Sequence, residues 1–389
     1  MSAAPSTTTA AGRIEIGVCS DMGGTALAGV DGLAEIRSVT EPRRFREVAH
    51  QFFGHLARLM EEHDADAPIQ FVETVPPEAR AEEFAEVAAE HGMPLKQFTR
   101  LCVLGGDAEN PDAVQALSGY LTLARRAGTV DRLNIQVLGD STTPSLEALC
   151  GFYLRAEEMA QAQGIELFTE THVDRFSHDP RRLLAVHHRL SDATGGRTGL
   201  RVAADFSHYL HQIGNPHFPQ WPAIAAGELN LDPLDPDNLI GRRIVQAGLI
   251  GNGHLRAAVP NDLPRGRGSI QYPIADPRGD AATAALPNGG LDRPWEPGRL
   301  RPWIGLYRQI FAYQLARPER PAARFSAEYL GDGAGDFRVG PYRNLYQNLA
   351  AVSFAHTLIR ELSGGPLAAG RYGSRSLETS RIRQSPGPS

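Results

Sequence analysis

Short apolar runs and amphipathic helical patterns alternate along most of this chain, and the alternation restricts the possible fold more than any other feature. Strands separated by helices form successive β-α-β units and a parallel sheet. Eight such runs predict a single closed (β/α)8 TIM barrel of the α/β class. The predicted strands cover residues 13–19, 69–75, 95–104, 132–138, 165–169, 200–204, 249–258 and 324–330. The predicted helices cover residues 41–62, 77–90, 113–127, 145–163, 180–193 and 342–362.

An open, doubly wound sheet is the alternative fold for such an alternation. Its dinucleotide-binding members carry a glycine-rich fingerprint after the first strand, whereas the segment here, SDMGGTALAG, lacks that spacing and an obvious helix start. We therefore expect one barrel domain over residues 13–363, between a disordered segment 1–12 and a flexible tail 364–389. Segments 209–240 and 273–297 are predicted long loops after strands six and seven, at the end where a barrel builds its active site. A lid and a subunit contact are both open as their role.

The composition argues against several classes of function. A net charge of −6 gives no reason to expect a nucleic-acid partner. Three widely spaced cysteines, with no secretion signal and no long apolar stretch, favour a cytoplasmic protein without a membrane segment. Lys96 is the sole lysine and lies near the predicted entry end of a strand, so a Schiff-base mechanism is disfavoured.

Four segments place an acid or an imidazole where an apolar run ends. They are ELFTETH with Glu170, RVAADFSH with Asp205, GNGHLRAA with His254, and RFSAEYLGD with Glu328. In a parallel barrel these strand ends converge, and three carboxylates there would repel one another without a cation. Such an oxygen-rich set suits Mn²⁺, Mg²⁺ or Co²⁺ better than a structural zinc ion. A single such carboxylate could instead cap a helix or a turn, as Asp205 could with Ser207.

These segments resemble the xylose isomerase-like barrel superfamily, especially its hydroxypyruvate isomerase and ketose 3-epimerase branches. The matching motifs are E-T-H from Glu170, D-F-S-H from Asp205, HLRAAVP from His254 followed by GSIQY, and the final Glu328. The segment from His254 is the most specific match. Arg256 stands where the hydroxypyruvate isomerases usually have glutamine. The usual arginine after the proline is displaced, with Arg265 or Arg267 as candidates.

The resemblance implies a sugar or hydroxy-keto isomerase or epimerase that acts through a metal-stabilised enediolate. Glu170, Asp205, His254 and Glu328 would hold one divalent metal ion, in the first place Mn²⁺, with Mg²⁺, Co²⁺ or Zn²⁺ as alternatives. Glu170 and Glu328 would also be the catalytic acid and base. Three further residues are implied to bind substrate: His208, Arg256 and His172, the last being equally well explained as an orienting residue. The partner would be a small molecule, and a homo-oligomer (dimer or tetramer) is compatible with the resemblance.

Other functions remain open at this point. Dehydratases, lyases and C-glycoside-cleaving enzymes of the same superfamily begin with the same proton abstraction. The endonuclease IV branch needs extra histidines at the ends of strands two and three, but these ends read FVETV and CVLGGD. A non-catalytic sugar-binding barrel would have no use for mutually repelling carboxylates.

Overall fold

A computed structural model of the chain confirms the predicted barrel. Eight parallel strands close into one ring in chain order, and the last strand pairs with the first. The structure describes residues 14–19, 41–74, 80–104, 111–139, 143–197, 199–260, 271–280, 284–285, 294–329 and 344–364. The strands are β1 (Ile14–Cys19), β2 (Phe71–Thr74), β3 (Leu95–Leu104), β4 (Arg132–Gly139), β5 (Glu166–Glu170), β6 (Val202–Ala204), β7 (Ile250–Leu255) and β8 (Ala323–Ala327).

Helices connect these strands around the outside of the barrel. They are α1 (Pro42–Asp64), α2 (Ala81–Glu90), α3 (Pro111–Ala127), α4 (Leu146–Ala162), α5 (Pro180–Thr194), α6 (Ser207–Leu210), α7 (Trp221–Ala225), α8 (Arg301–Leu315) and α9 (Asn344–Leu362), with a π-helical turn at Ile240–Val245. The sequence patterns did not predict α8, because a proline- and glycine-rich stretch leads directly into it and conceals its start. Its buried residues nevertheless have helical spacing, from Trp303 through Leu306, Tyr307 and Ile310 to Phe311.

Local sequence signals set the helix ends. The Glu41 side chain accepts hydrogen bonds from the first free amides of α1, and Asp179 does the same for α5. The α5 helix ends at Gly195, whose φ of 61° is left-handed and therefore suits glycine. Inside the barrel, a Cβ on Gly17 would lie 2.5 Å from the carbonyl oxygen of Phe71. Glycine at this position lets β1 approach β2.

Ion pairs close the amino-terminal end of the barrel. Glu15 accepts hydrogen bonds from Lys96 Nζ and Arg324 Nε, each at 2.8 Å. Arg132 crosses the barrel to donate to the carbonyl oxygen of Gly251 at 2.9 Å. Lys96 thus lies among structural ion pairs at the entry end of β3, where the strand pattern predicted it.

Long loops follow β6 and β7, as predicted. The loop after β6 contains α6 and α7. In the loop after β7, Tyr272 donates its amide to the Ala257 carbonyl, and Ala275 pairs with the Gln347 side chain of α9. Residues 281–283 and 286–293 of this loop lie outside the described residues, as do the predicted disordered segment 1–12 and residues 365–389 of the predicted tail. Within the described part of the chain, no helix is long and apolar enough to cross a membrane.

Candidate metal centre

The carboxyl-terminal ends of four consecutive strands bring the predicted ligands together. Glu170 ends β5, Asp205 follows β6, His254 lies in β7, and Glu328 follows β8. All four are buried, and one ligand atom from each lies within 4.8 Å of the others. A closed barrel therefore converts residues scattered over more than 150 positions into one compact cluster.

His254 lies at the middle of this cluster. Its Nδ1 atom is 2.9 Å from Glu328 Oε2, 3.5 Å from Glu170 Oε1 and 3.9 Å from Asp205 Oδ2. Glu170 Oε1, His254 Nδ1 and Glu328 Oε2 are buried, and no described residue outside the cluster gives any of them a well-formed hydrogen bond. Buried polar atoms without partners are costly. A cation between them would satisfy all three, so these residues fit a divalent metal ion.

The charges of the cluster shift the protonation of its members. Burial lowers the pKa of His254, but the surrounding carboxylates Glu328, Glu73 and Glu170 outweigh it and raise the pKa well above its usual value. Burial raises the pKa of Glu170, but the charge of His254 reverses this effect and holds the pKa low. Burial dominates at Glu328, whose pKa is raised. Without a metal ion, the His254 imidazolium is therefore the cation that this cluster contains.

Two of the candidate ligands, Glu170 and Asp205, are held in place by neighbouring side chains. Glu170 Oε2 accepts hydrogen bonds from Asn134 Nδ2 at 2.8 Å and Gln136 Nε2 at 3.0 Å, which leaves Oε1 directed to the centre. Asp205 Oδ1 accepts from the Ser207 amide at 3.1 Å and its hydroxyl at 2.5 Å. The turn that the sequence predicted between Asp205 and Ser207 is therefore present beside the cluster. The other carboxylate oxygen of Asp205, Oδ2, lies on the side of His254.

Sequence reasoning missed Glu73, the buried carboxylate near the end of β2. Its Oε1 lies 3.1 Å from His254 Nε2, its Oε2 accepts from the Ser326 hydroxyl at 2.5 Å, and the Thr99 hydroxyl also donates to it. Burial raises the pKa of Glu73, but His254 and these hydroxyls lower it to about 2. The Glu73 carboxylate keeps a proton on His254 Nε2, so His254 Nδ1 is the ring nitrogen that can act as a metal ligand in the cluster. A charged residue near the end of the apolar run FVET was the only signal in the sequence.

The two predicted substrate histidines lie next to each other. The rings of His172 and His208 have centroids 4.1 Å apart, and one atom of each lies within 4.8 Å of a Glu170 carboxylate oxygen. His172 Nδ1 is 2.5 Å from the carbonyl oxygen of Val173, consistent with an orienting hydrogen bond. Burial lowers the pKa of both imidazoles well below the usual value, so both are neutral. Substrate binding by this pair remains a prediction.

Arg256, the third predicted substrate residue, is fully buried beside the ligands. Its Nε donates to Ser207 Oγ at 3.1 Å, and one terminal nitrogen contacts Asp205 Oδ2 and also lies 2.6 Å from His208 Nε2. The other terminal nitrogen is 3.6 Å from Glu328 Oε2. Arg256 therefore orients the candidate ligand Asp205, while a contact with substrate remains a prediction. Arg265 and Arg267 lie outside the described residues.

No family model matches the sequence, and no curated protein matches it. Solved structures are similar in fold. A xylose isomerase-like TIM barrel/4-hydroxyphenylpyruvate dioxygenase fusion protein matches over 92% of this chain at 13% identity, with a TM-score of 0.47, and this chain spans 46% of its length. D-allulose 3-epimerase from Methylomonas sp., in complex with D-allulose, matches over 88% of this chain and 96% of its own at 12% identity, with a TM-score of 0.48.

A further similar structure is a xylose isomerase-like TIM barrel protein from Mycobacterium smegmatis in complex with magnesium. It matches over 90% of this chain and 97% of its own at 14% identity, with a TM-score of 0.46.

Proposed function

We propose that the protein is a divalent-metal-dependent isomerase or epimerase of a sugar or hydroxy-keto compound. The observation that carries this proposal is the convergence of three buried atoms, Glu170 Oε1, His254 Nδ1 and Glu328 Oε2, beside Asp205, with no well-formed hydrogen bond from any described residue outside the cluster. A divalent ion at this centre, with Mn²⁺ as the proposed metal, would polarise adjacent carbonyl and hydroxyl oxygens and acidify the C–H bond between them.

Glu170 and Glu328 are proposed to move the proton. They follow different strands, β5 and β8, and both lie near His254 Nδ1. A substrate bound at the centre would therefore have two carboxylates within reach of its reacting carbon. One carboxylate removes the proton from the carbon and the other returns it. Asn134 and Gln136 hold the outer oxygen of Glu170, which keeps the inner oxygen in place during the transfer.

The neighbouring imidazoles are proposed to bind the oxygens of the substrate. Both rings are neutral. His172 donates Nδ1–H to the Val173 carbonyl, so its Nε2 would accept a hydrogen bond from a substrate hydroxyl. His208 accepts from Arg256 at Nε2, so its Nδ1–H would donate to a substrate oxygen. Arg256 holds Asp205 and His208 together and supplies a positive charge near an oxygen that becomes anionic. All three cysteines are buried and free, which supports a reducing compartment, and we propose the cytoplasm.

Exchange of the substrate α-proton tests this proposal. The Mn²⁺-loaded protein, incubated in D2O with a panel of ketoses and hydroxy-keto acids, should incorporate deuterium at the carbon beside the carbonyl, as followed by NMR. Glu328→Gln should lower the exchange rate by roughly 10²-fold or more, as expected for a lost general base. His188→Gln, an exposed residue of α5, is the control and should leave the rate unchanged.

Three results would contradict parts of the proposal. Full exchange in metal-free protein would exclude the metal from the reaction. Equal exchange rates in the wild type and Glu328→Gln would remove Glu328 from proton transfer. Exchange accompanied by release of water or a cleaved fragment would replace isomerisation with elimination, the alternative outcome of the same proton abstraction.

A further inference from the structure

Two exposed apolar side chains lie on a barrel strand. Among the described residues, the exposed large hydrophobic side chains are Leu101, Val103, Leu154 and Leu234. Leu101 and Val103 belong to β3 and are 44% and 40% exposed. Strands of a parallel barrel are normally covered on both faces, so this exposure needs an explanation.

Strand register shows which face these residues occupy. Thr99 pairs with Asn134, Leu101 with Gln136, and Val103 with Leu138. The Thr99 hydroxyl donates to Glu73, while Asn134 and Gln136 donate to Glu170, so this face of β3 and β4 is the inner one. Side chains alternate along a strand. Leu101 and Val103 therefore continue the inner face above Thr99, towards the carboxyl-terminal mouth of the barrel.

This apolar surface, formed by Leu101 and Val103, begins close to the candidate metal centre. Paired residues on neighbouring strands are about 4.8 Å apart, and successive inner residues of one strand are about 6.6 Å apart. Leu101 is paired with Gln136, whose Nε2 is 3.0 Å from Glu170 Oε2. The apolar surface thus starts about one side chain's length from the carboxylate and extends outwards from it.

We propose that the substrate carries an apolar substituent, the size of an aryl ring or a short alkyl chain, that packs against Leu101 and Val103. The inference rests on the proposed function only in assuming that the reacting α-hydroxycarbonyl group of the substrate lies at Glu170 and His254. Hydroxyl groups placed against two aliphatic side chains would lose hydration without gaining hydrogen bonds, whereas an apolar substituent gains from leaving water. Continuity of this surface with the ligand-bearing face favours the substrate as its occupant over a second protein chain.

Direct binding measurements test the inference without depending on turnover. Calorimetry on Mn²⁺-loaded protein would compare a 2-ketohexose with benzyl ethers of the same sugar, substituted at each of its hydroxyls remote from the carbonyl. We expect at least one ether to bind roughly 10-fold tighter or better, the gain typical of burying a few apolar groups. The double variant Leu101→Ser, Val103→Ser should lose that gain. Leu154 is a leucine of α4 that is 37% exposed, and the control variant Leu154→Ser should keep the gain in affinity.

The results separate this inference from the proposed function. Equal affinities for sugar and ethers, no measurable binding of any ether, or a gain that survives in the double variant would each overturn the apolar subsite. If an ether binds tighter but no compound exchanges its α-proton, the subsite is supported and the isomerase proposal fails. Both substituted residues are exposed, so the double variant should unfold at the wild-type temperature, and thermal denaturation checks this.

Discussion

Replacing Glu73 with glutamine tests the support behind the candidate metal centre. Glutamine has the shape of glutamate and keeps an oxygen that can accept the proton on His254 Nε2, now 3.1 Å from Glu73 Oε1. The change therefore removes the negative charge and leaves the hydrogen bond possible. Without that charge, His254 Nδ1 should be a weaker base and a weaker ligand, although Glu73 is not one of the four candidate ligands.

The expected loss is one of metal affinity. Carboxylates behind ligand histidines typically contribute 10- to 100-fold to metal affinity, which corresponds to about 1.4–2.7 kcal/mol. We expect the upper part of this range, because Glu73 and His254 are both fully buried and little solvent screens the charge. Thr99 and Ser326 also donate to Glu73, and their hydroxyls can rotate to meet the amide.

Competition with a coloured chelator would measure the Mn²⁺ dissociation constant of the wild type and of Glu73→Gln at pH 7. Glu82→Gln is a matched control, because Glu82 is a partly exposed residue of α2 whose side chain pairs with Arg126 at the surface. We expect no change in the control. A Glu73→Gln protein that folds normally and binds Mn²⁺ within twofold of the wild type would refute the view that this carboxylate strengthens His254 as a ligand.

Other consequences can be measured separately. The raised pKa of His254 keeps this side chain protonated in the metal-free cluster. Mn²⁺ binding at pH 7 should therefore release about one proton, which calorimetry in buffers of different ionisation enthalpy would detect. Binding without proton release would contradict the protonation of His254. Glu15→Gln should lower the free energy of unfolding by about 1–3 kcal/mol at pH 7. Although burial raises the pKa of Glu15, Lys96 and Arg324 lower it overall. Its stabilisation is therefore complete above the unfolded pKa of about 4.3 and disappears as the pH falls through the folded value, as urea titrations at pH 7 and pH 3 would show. Gly17→Ala should destabilise by about 1–3 kcal/mol in the same assay, whereas Gly119→Ala, in helix α3 with open space around its Cβ, should stabilise by about 0.5–1 kcal/mol.

The four candidate ligands could be predicted from the sequence because each carries a local signal. An apolar run marks a strand, and a charged or imidazole group where the run ends is conspicuous, as at Glu170 and Glu328. The parallel barrel then places the ends of consecutive strands side by side. Neither step requires knowledge of side-chain contacts across the barrel.

Glu73 could not be found in the same way, because its partner lies across the barrel. It is 181 positions from His254, and β2 and β7 are not neighbours in the ring. Only the closed barrel, with the inward direction of both side chains, brings the two together. The exposure of Leu101 and Val103 could not be predicted for a similar reason. An apolar residue in an apolar strand is expected to be buried, and the sequence does not show that no other side chain packs over it.

The charges around His254 favour a divalent cation at the candidate centre even though Arg256 is present. Glu73, Glu170, Asp205 and Glu328 can contribute four negative charges, and Arg256 with a protonated His254 offsets two of them. Exchange of the imidazolium proton for a divalent ion would leave a single negative charge at the site. Asp205 would keep Arg256 as a partner and Glu73 would keep the N–H of His254. The remaining negative charge would fall on Glu170 and Glu328, the pair proposed to face the substrate, so the metal-loaded centre would still contain one base able to accept a proton.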